Sequence, residues 1–150
     1  MMTHHESMTA PQDRIRVVAA VIQREGRFLV CQRSHLKRHG GLWEFPGGKI
    51  ELSETIEAAA ARELKEELAL EVTAIGRTLL SQMDPGSLFQ IEFVEVFAEG
   101  DPKALEHEDV RWVLPSELEL IPLAPTDEVF AASLQERCHH PDDLVRCAPP

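Results

Sequence analysis

The sequence predicts an α/β sandwich. Three observations carry that expectation. Residues 14–23 (RIRVVAAVIQ) are a β-branched, mostly apolar run; residues 89–98 form an alternating run; and two stretches of helical character follow Gly48 and Pro125. A chain of 150 residues is the size of one domain and buries about 70% of its unfolded surface. The content of 43% hydrophobic and 27% charged residues is ordinary for a globular protein. Residues 1–13 are expected to be a flexible leader, 14–138 one domain, and 139–150 a flexible, Pro-rich tail.

Taken in order, residues 14–23 read as a central strand buried on both faces. Residues 24–27 turn the chain back into a second strand over 28–33, joined to the first as a hairpin. A basic, glycine-ended loop over 35–42 is placed to sit over a site, and Trp43-Glu44-Phe45 leads into the Pro46-Gly47-Gly48 turn. Strands are expected near 72–82 and 89–98, joined at Asp84-Pro85-Gly86. In the second, Phe89, Ile91 and Phe93 alternate with Gln90 and Glu92, which predicts one core face. An irregular acidic loop over 100–108, a short strand at 110–113 and a helical turn at 115–120 come next. Thr126 is the expected cap of a last helix reaching about Arg137, with Asp127 and Glu128 at its positive end.

The most informative stretch is GGKIELSETIEAAAARELKEELAL, residues 47–70. Thr55 suits an N-cap, Glu57 suits the first turn, and an alanine run follows. Glu63, Glu66 and Glu67 stand at i, i+3 and i+4, so their carboxylates share one side of the helix beside an apolar stripe of Ala60, Leu64 and Leu68. Like charges at that spacing cost about 0.2–0.5 kcal/mol per pair. Arg62 is expected to reach Glu66 at i+4, yet one cation does not neutralise three anions. A hard divalent cation held by oxygen ligands would, whereas the plainer reading is a solvated acidic face. The glycines ahead of the helix tilt the balance. They let main-chain groups approach a ligand without Cβ obstruction, and Lys49 and Glu54 add a cation and a further carboxylate.

The net charge of -11 opposes binding to nucleic acid or an anionic membrane. No apolar run approaches the ~20 residues of a membrane span. The leader lacks a basic start and an apolar core, so it does not read as a secretory signal. Cys31, Cys138 and Cys147 are an odd number that suits a reducing cytoplasm. Cys138-His139-His140 with Cys147 fits no usual zinc spacing.

Gly48, Glu54, Arg62-Glu63 and Glu66-Glu67, six specified identities at the right spacings, together resemble the Nudix box, with Leu64 at its apolar position. One position departs: Ala69 stands where the box has glycine, which would ease the helix exit through a left-handed residue. The resemblance covers about residues 14–137 and is closest to the MutT-type branch, where Glu44-Phe45-Pro46-Gly47-Gly48-Lys49 also matches. It implies a mixed curved sheet between helices, an α/β/α sandwich, and hydrolysis of a nucleoside triphosphate to the monophosphate and pyrophosphate.

Carried over position by position, the resemblance implies metal ligation by Glu63, Glu66, Glu67 and a main-chain carbonyl at Gly47 or Gly48. Mg²⁺ is the expected ion, with Mn²⁺ in its place as the alternative. Glu66 and Glu106 are the candidates for proton acceptor from water, and Arg62 orients Glu66 or its neighbour. Arg33 and Lys49 would hold phosphates, Asp127 would read the base edge, and Glu44 and Phe45 complete the substrate site. Plainer readings stand beside these: a solvated strand end for Arg33, a solvent-facing Glu106, an Asp127 that only serves the helix dipole, and a core role for Phe45. Three functions compete: sanitation of 8-oxo-dGTP or a related (d)NTP, hydrolysis of (d)CTP or modified pyrimidine nucleotides, and a catalytically silent nucleotide-binding module. The box carboxylates disfavour the last. The residues leave the oligomeric state open.

Overall fold

The structure is a computed structural model and describes residues 14–137. The expected leader and tail, with Cys138, His139, His140 and Cys147, lie outside the described residues.

Strand β1 (Ile15–Val21) lies inside a mixed sheet, parallel to β7 (Phe89–Glu99) and antiparallel to β5 (Gly47–Lys49). β6 (Glu71–Met83) pairs antiparallel with β7, giving the order β5-β1-β7-β6. A second, antiparallel sheet is built on β3 (Arg27–Gln32), which pairs with β2 (Gln23–Arg24), β4 (Trp43–Glu44) and β8 (Asp109–Val113). Helix α1 (Ile56–Leu68) packs on one side, and helix α2 (Pro125–Arg137) with the 3-10 turn Pro115–Leu120 on the other.

Strand alternation sorts the core into two layers. On β1, Val18 and Ala20 face the α1 layer while Ala19 and Val21 face the α2 layer. On β3, Leu29 and Cys31 join Ala59, Ala60, Leu64 and Leu68 of α1, whereas Phe28 and Val30 join Phe130, Ala131 and Leu134 of α2. Alanines are α1's smallest contribution to one layer, and aromatic rings make up much of the other. There Phe93 stacks on Phe130 with centroids 4.3 Å apart, and Phe45 meets Phe28, Phe93 and Phe130 edge-on. Each such ring contributes about 1.5–3 kcal/mol by burial.

Three local expectations change. The hairpin shrinks to the pairs Gln23–Phe28 and Arg24–Arg27 about a turn with positive φ at Glu25 and Gly26. Both edges of β1 are already taken by β5 and β7, so β3 pairs in the other sheet. β7 is not one-faced: Phe93 enters the α2 layer while Val94 and Val96 enter the α1 layer, because the strand lies between two neighbours and two helices. Thr126 is not a cap. It lies inside α2, 1% exposed, and its hydroxyl donates to Asp84 across the fold. Thr55 does cap α1: its Oγ1 accepts from the Ala58 N–H at 3.0 Å. Ala69 closes the same helix in the left-handed region (φ 59, ψ 33).

Candidate active site

The loop ahead of α1 is held by a clamp. Arg62 donates from Nε to Glu54 Oε2 and from Nη2 to Glu54 Oε1, both at 2.9 Å, and Nη2 also reaches the Lys49 carbonyl at 3.1 Å. Glu54 accepts from the Glu51 N–H at 2.8 Å as well. Together the Arg62 fork and that N–H hold the Glu54 carboxyl down at about 2. Arg62 touches Glu63 Oε2 at 3.1 Å, but Glu66 only at 3.7 Å. The expected i+4 partner is therefore the weaker one. A bidentate fork on Glu54, eight residues back, outcompetes it because two parallel charge-assisted bonds form there.

Further along the helix, the Glu67 carboxyl faces that of Glu63. A Cβ on Gly48 would lie 2.3 Å from the Glu63 carboxyl carbon, so glycine is what allows this carboxylate to rest on β5. A Cβ on Gly47 would come 1.8 Å from the Val18 carbonyl oxygen, so β5 joins β1 only with glycine there. Glu67 is pushed up to about 9, first by burial, then by the Glu63 carboxyl facing it and by Glu44 and Glu106. Its Oε1 is buried and has no hydrogen-bond partner. A buried, unpaired carboxylate oxygen among further carboxylates is what a divalent cation would relieve. Among the described residues no three ligating side chains are gathered into a closed cage. The oxygen donors that are present, carboxylate and main-chain carbonyl, are of the type a hard cation takes.

The opposite wall is set by tertiary contacts. Arg33, just past β3, donates to Glu44 Oε1 at 2.8 Å and to the Arg38 carbonyl at 2.7 Å. The other oxygen of Glu44 lies 3.0 Å from His107 Nε2. β4 is stitched to the segment before α2 by Trp43 N–H to the Pro122 carbonyl and Ala124 N–H to the Trp43 carbonyl, both at 2.8 Å. That stitch carries Asp127, 6% exposed, to the Phe45 main chain, whose N–H donates to Asp127 Oδ1 at 2.9 Å. Burial, and after it the nearby Glu44, raise Asp127 well above the usual carboxylate range.

Between these walls lies a cavity of about 290 Å³. Arg33, Glu44, Phe45, Gly47, Gly48, Lys49, Glu63, Glu67, Glu106 and Asp127 all line it. Arg62 and Glu66 are not among its lining residues; Arg62 braces the loop from behind, and the Glu66 side chain is 58% exposed. Phe45 is only 3% exposed and its ring belongs to the aromatic core.

The NUDIX domain matches residues 12–134. The chain belongs to the Nudix family. A CTP pyrophosphohydrolase of Escherichia coli is 38% identical over 133 residues, covering 86% of this chain and 98% of that protein. An 8-oxo-dGTP diphosphatase of Proteus vulgaris is 43% identical over 61 residues, 40% of this chain and 54% of that protein. The solution structure of the E. coli ORF135 protein superposes with a TM-score of 0.75 at 36% identity, covering 87% of this chain and 95% of that one.

The chain is therefore a Nudix hydrolase, an enzyme of phosphoanhydride bonds in nucleotide substrates, and Nudix hydrolases generally work with divalent metal ions. The box alanine proves compatible with the family's helix exit: Ala69 takes the left-handed turn, and its N–H is shared between the Leu64 and Lys65 carbonyls. Sequence reasoning did not single out Ser34, Lys37 or His107, which also line the cavity. Lys37 lay in plain view in the basic loop, and His107 beside Glu106. No described helix is long and apolar enough to cross a membrane.

Proposed function

We propose that this Nudix hydrolase cleaves 8-oxo-dGTP or a related (d)NTP to the monophosphate and pyrophosphate, with Mg²⁺ bound at Glu63, Glu67 and a main-chain carbonyl of Gly47 or Gly48. The observation that carries the reading is the orphaned, buried Oε1 of Glu67, whose carboxyl meets Glu63, in a cavity also lined by Arg33, Lys49 and Asp127. Glu66, on the same side of α1, would complete the oxygen donors. The ion supplies charge screening of the phosphate oxygens and acidification of a water. Mn²⁺ meets the same oxygen donors.

The chain's own residues do the rest. Arg33 and Lys49 hold phosphate oxygens, Arg33 with its guanidinium already aligned by Glu44 and the Arg38 carbonyl. Glu106 lines the cavity and takes the proton from the attacking water, a role its position favours over the exposed Glu66. Arg62 keeps Glu54 and the box loop in place. Asp127, anchored at Oδ1 by the Phe45 N–H, has its other carboxyl oxygen left to meet the base edge. The acidic net charge and the odd cysteine count support a cytoplasmic enzyme of the free nucleotide pool rather than of nucleic acid.

A second reading, (d)CTP or a modified pyrimidine nucleotide, is favoured by the E. coli relative that is matched over 98% of its length. Pyrophosphate release measured across 8-oxo-dGTP, dGTP, dCTP and 5-methyl-dCTP decides between them. The highest kcat/KM on 8-oxo-dGTP supports the first reading, and preference for the cytosine nucleotides overturns it in favour of the second. Asp127→Ala is expected to flatten that preference more than it slows hydrolysis. Equal loss on every base would reduce Asp127 to a structural role.

A further inference from the structure

We propose that His107 is a positioning residue: by donating from Nε2 to Glu44 it ties the loop that carries Glu106 to the strand that aligns Arg33. The imidazole is 8% exposed and lines the cavity. Its Nε2 lies 3.0 Å from Glu44 Oε2, while Glu44 Oε1 receives Arg33 Nη1 at 2.8 Å. A carboxylate can only accept in both bonds, so Nε2 carries a proton. Nδ1 is buried and has no partner. An apolar side chain would fill the same space without that loss, so packing alone does not account for histidine here.

The surrounding main chain explains what the bond achieves. Leu105 N–H donates to the Glu67 carbonyl at 3.1 Å, and Glu108 N–H to the Gln32 carbonyl at 2.9 Å. Between these two ties the loop crosses from α1 to β3 with only Glu106 and His107 in the span. His107 is the side chain that fixes the crossing to the cavity wall, and Glu106 is its immediate neighbour. One carboxylate, Glu44, thereby couples the phosphate-side arginine to the loop bearing the proton acceptor. Loss of the bond frees both at once. Errors of position of that kind cost about 10- to 100-fold in rate.

This rests on the hydrolase mechanism proposed above, and its test separates the two. In the full chain with Mg²⁺, His107→Phe keeps an aromatic ring and removes the donor, and His107→Gln returns an amide donor near Nε2. Assayed with 8-oxo-dGTP and dCTP, His107→Phe is expected to lose about 10- to 100-fold in kcat/KM with its cooperative melt retained, and His107→Gln to regain most of that loss. Added to Glu44→Gln, His107→Phe is expected to cost little more. Full activity in His107→Phe, equal impairment of both His107 variants, or full additivity with Glu44→Gln overturns the proposal. Independently of turnover, ¹⁵N-histidine NMR of the wild-type chain should show an Nε2-protonated His107 with an exchange-protected N–H that is lost in Glu44→Ala. An Nδ1-protonated ring overturns the assignment. A wild-type chain inert toward every nucleotide would instead sink the mechanism while leaving that NMR signature in place.

Discussion

Glu54 and Glu67 belong to the same loop–helix unit, yet their surroundings drive them in opposite directions. Glu54 is gripped by both arms of the Arg62 fork and by the Glu51 N–H, and its carboxyl falls to about 2. Glu67 is buried against Glu63, and its carboxyl rises to about 9. The unit thus divides its acids. One half is satisfied internally and builds the loop, while the other is left with a buried oxygen that has no partner. Strain of this kind is offset by the two-layer core beneath, where Leu64 and Leu68 are fully buried.

The sharpest way to break the contrast is Glu67→Gln. Turnover should fall by at least about 10²-fold, since the proposed ligand of the cation is lost. The melting temperature without metal should hold near neutral pH, because glutamine replaces a carboxyl of similar shape that burial already keeps protonated there. Steady-state pyrophosphate release beside calorimetry checks both, and an active Glu67→Gln enzyme would refute the division of roles.

Proton linkage tests the same contrast without mutation. The folded state raises Glu67 from 4.5 to about 9, so without metal it binds a proton more tightly than the unfolded chain, and stability should fall as pH rises across that window. The folded state lowers Glu54 from 4.5 to about 2, so its contribution is present above 4.5 and is lost as pH falls toward 2. Saturating Mg²⁺ should flatten the first slope and leave the second unchanged, as read by denaturant unfolding at each pH with Mg²⁺ or with a chelator.

Untying the satisfied half should matter less. Arg62→Ala should lower kcat/KM by about 10-fold and stability by about 1 kcal/mol, measured by kinetics and urea melts. Arg62→Lys should restore little, because a single ammonium does not reproduce the two parallel bonds to Glu54. The smallest effect belongs to the helix exit. Ala69→Gly should stabilise the chain by about 0.5–1 kcal/mol with no change in rate, since glycine accepts the left-handed turn without a Cβ penalty.

Much of this was open to reading from residues alone, and the parts that were not share a cause. The Thr55 cap, the helix it starts and the acidic face are consequences of spacing within one turn or two. The hairpin was overdrawn because a strand's apolar character reports burial and not which strand lies beside it. Arg62 was matched to Glu66 by helical spacing, and the competing acceptor lay in a loop whose path no local rule gives. Thr126 looked like a cap for the same reason. A threonine beside an acidic pair has the composition of an N-terminus, but the helix begins earlier and the hydroxyl turns inward to Asp84.

By itself, then, the sequence determined the glycine turn, the box helix and the side on which Glu63, Glu66 and Glu67 stand, because i, i+3 and i+4 positions are neighbours on any α-helix. Only the tertiary structure decided which of those acids is buried, that Glu44 joins Arg33 to His107, and that Asp127 meets Phe45. Those pairings cross 11, 63 and 82 residues of chain and depend on strand register and on two helices closing over opposite faces of the sheet. Charge patterning supplied the groups, and packing assigned their partners.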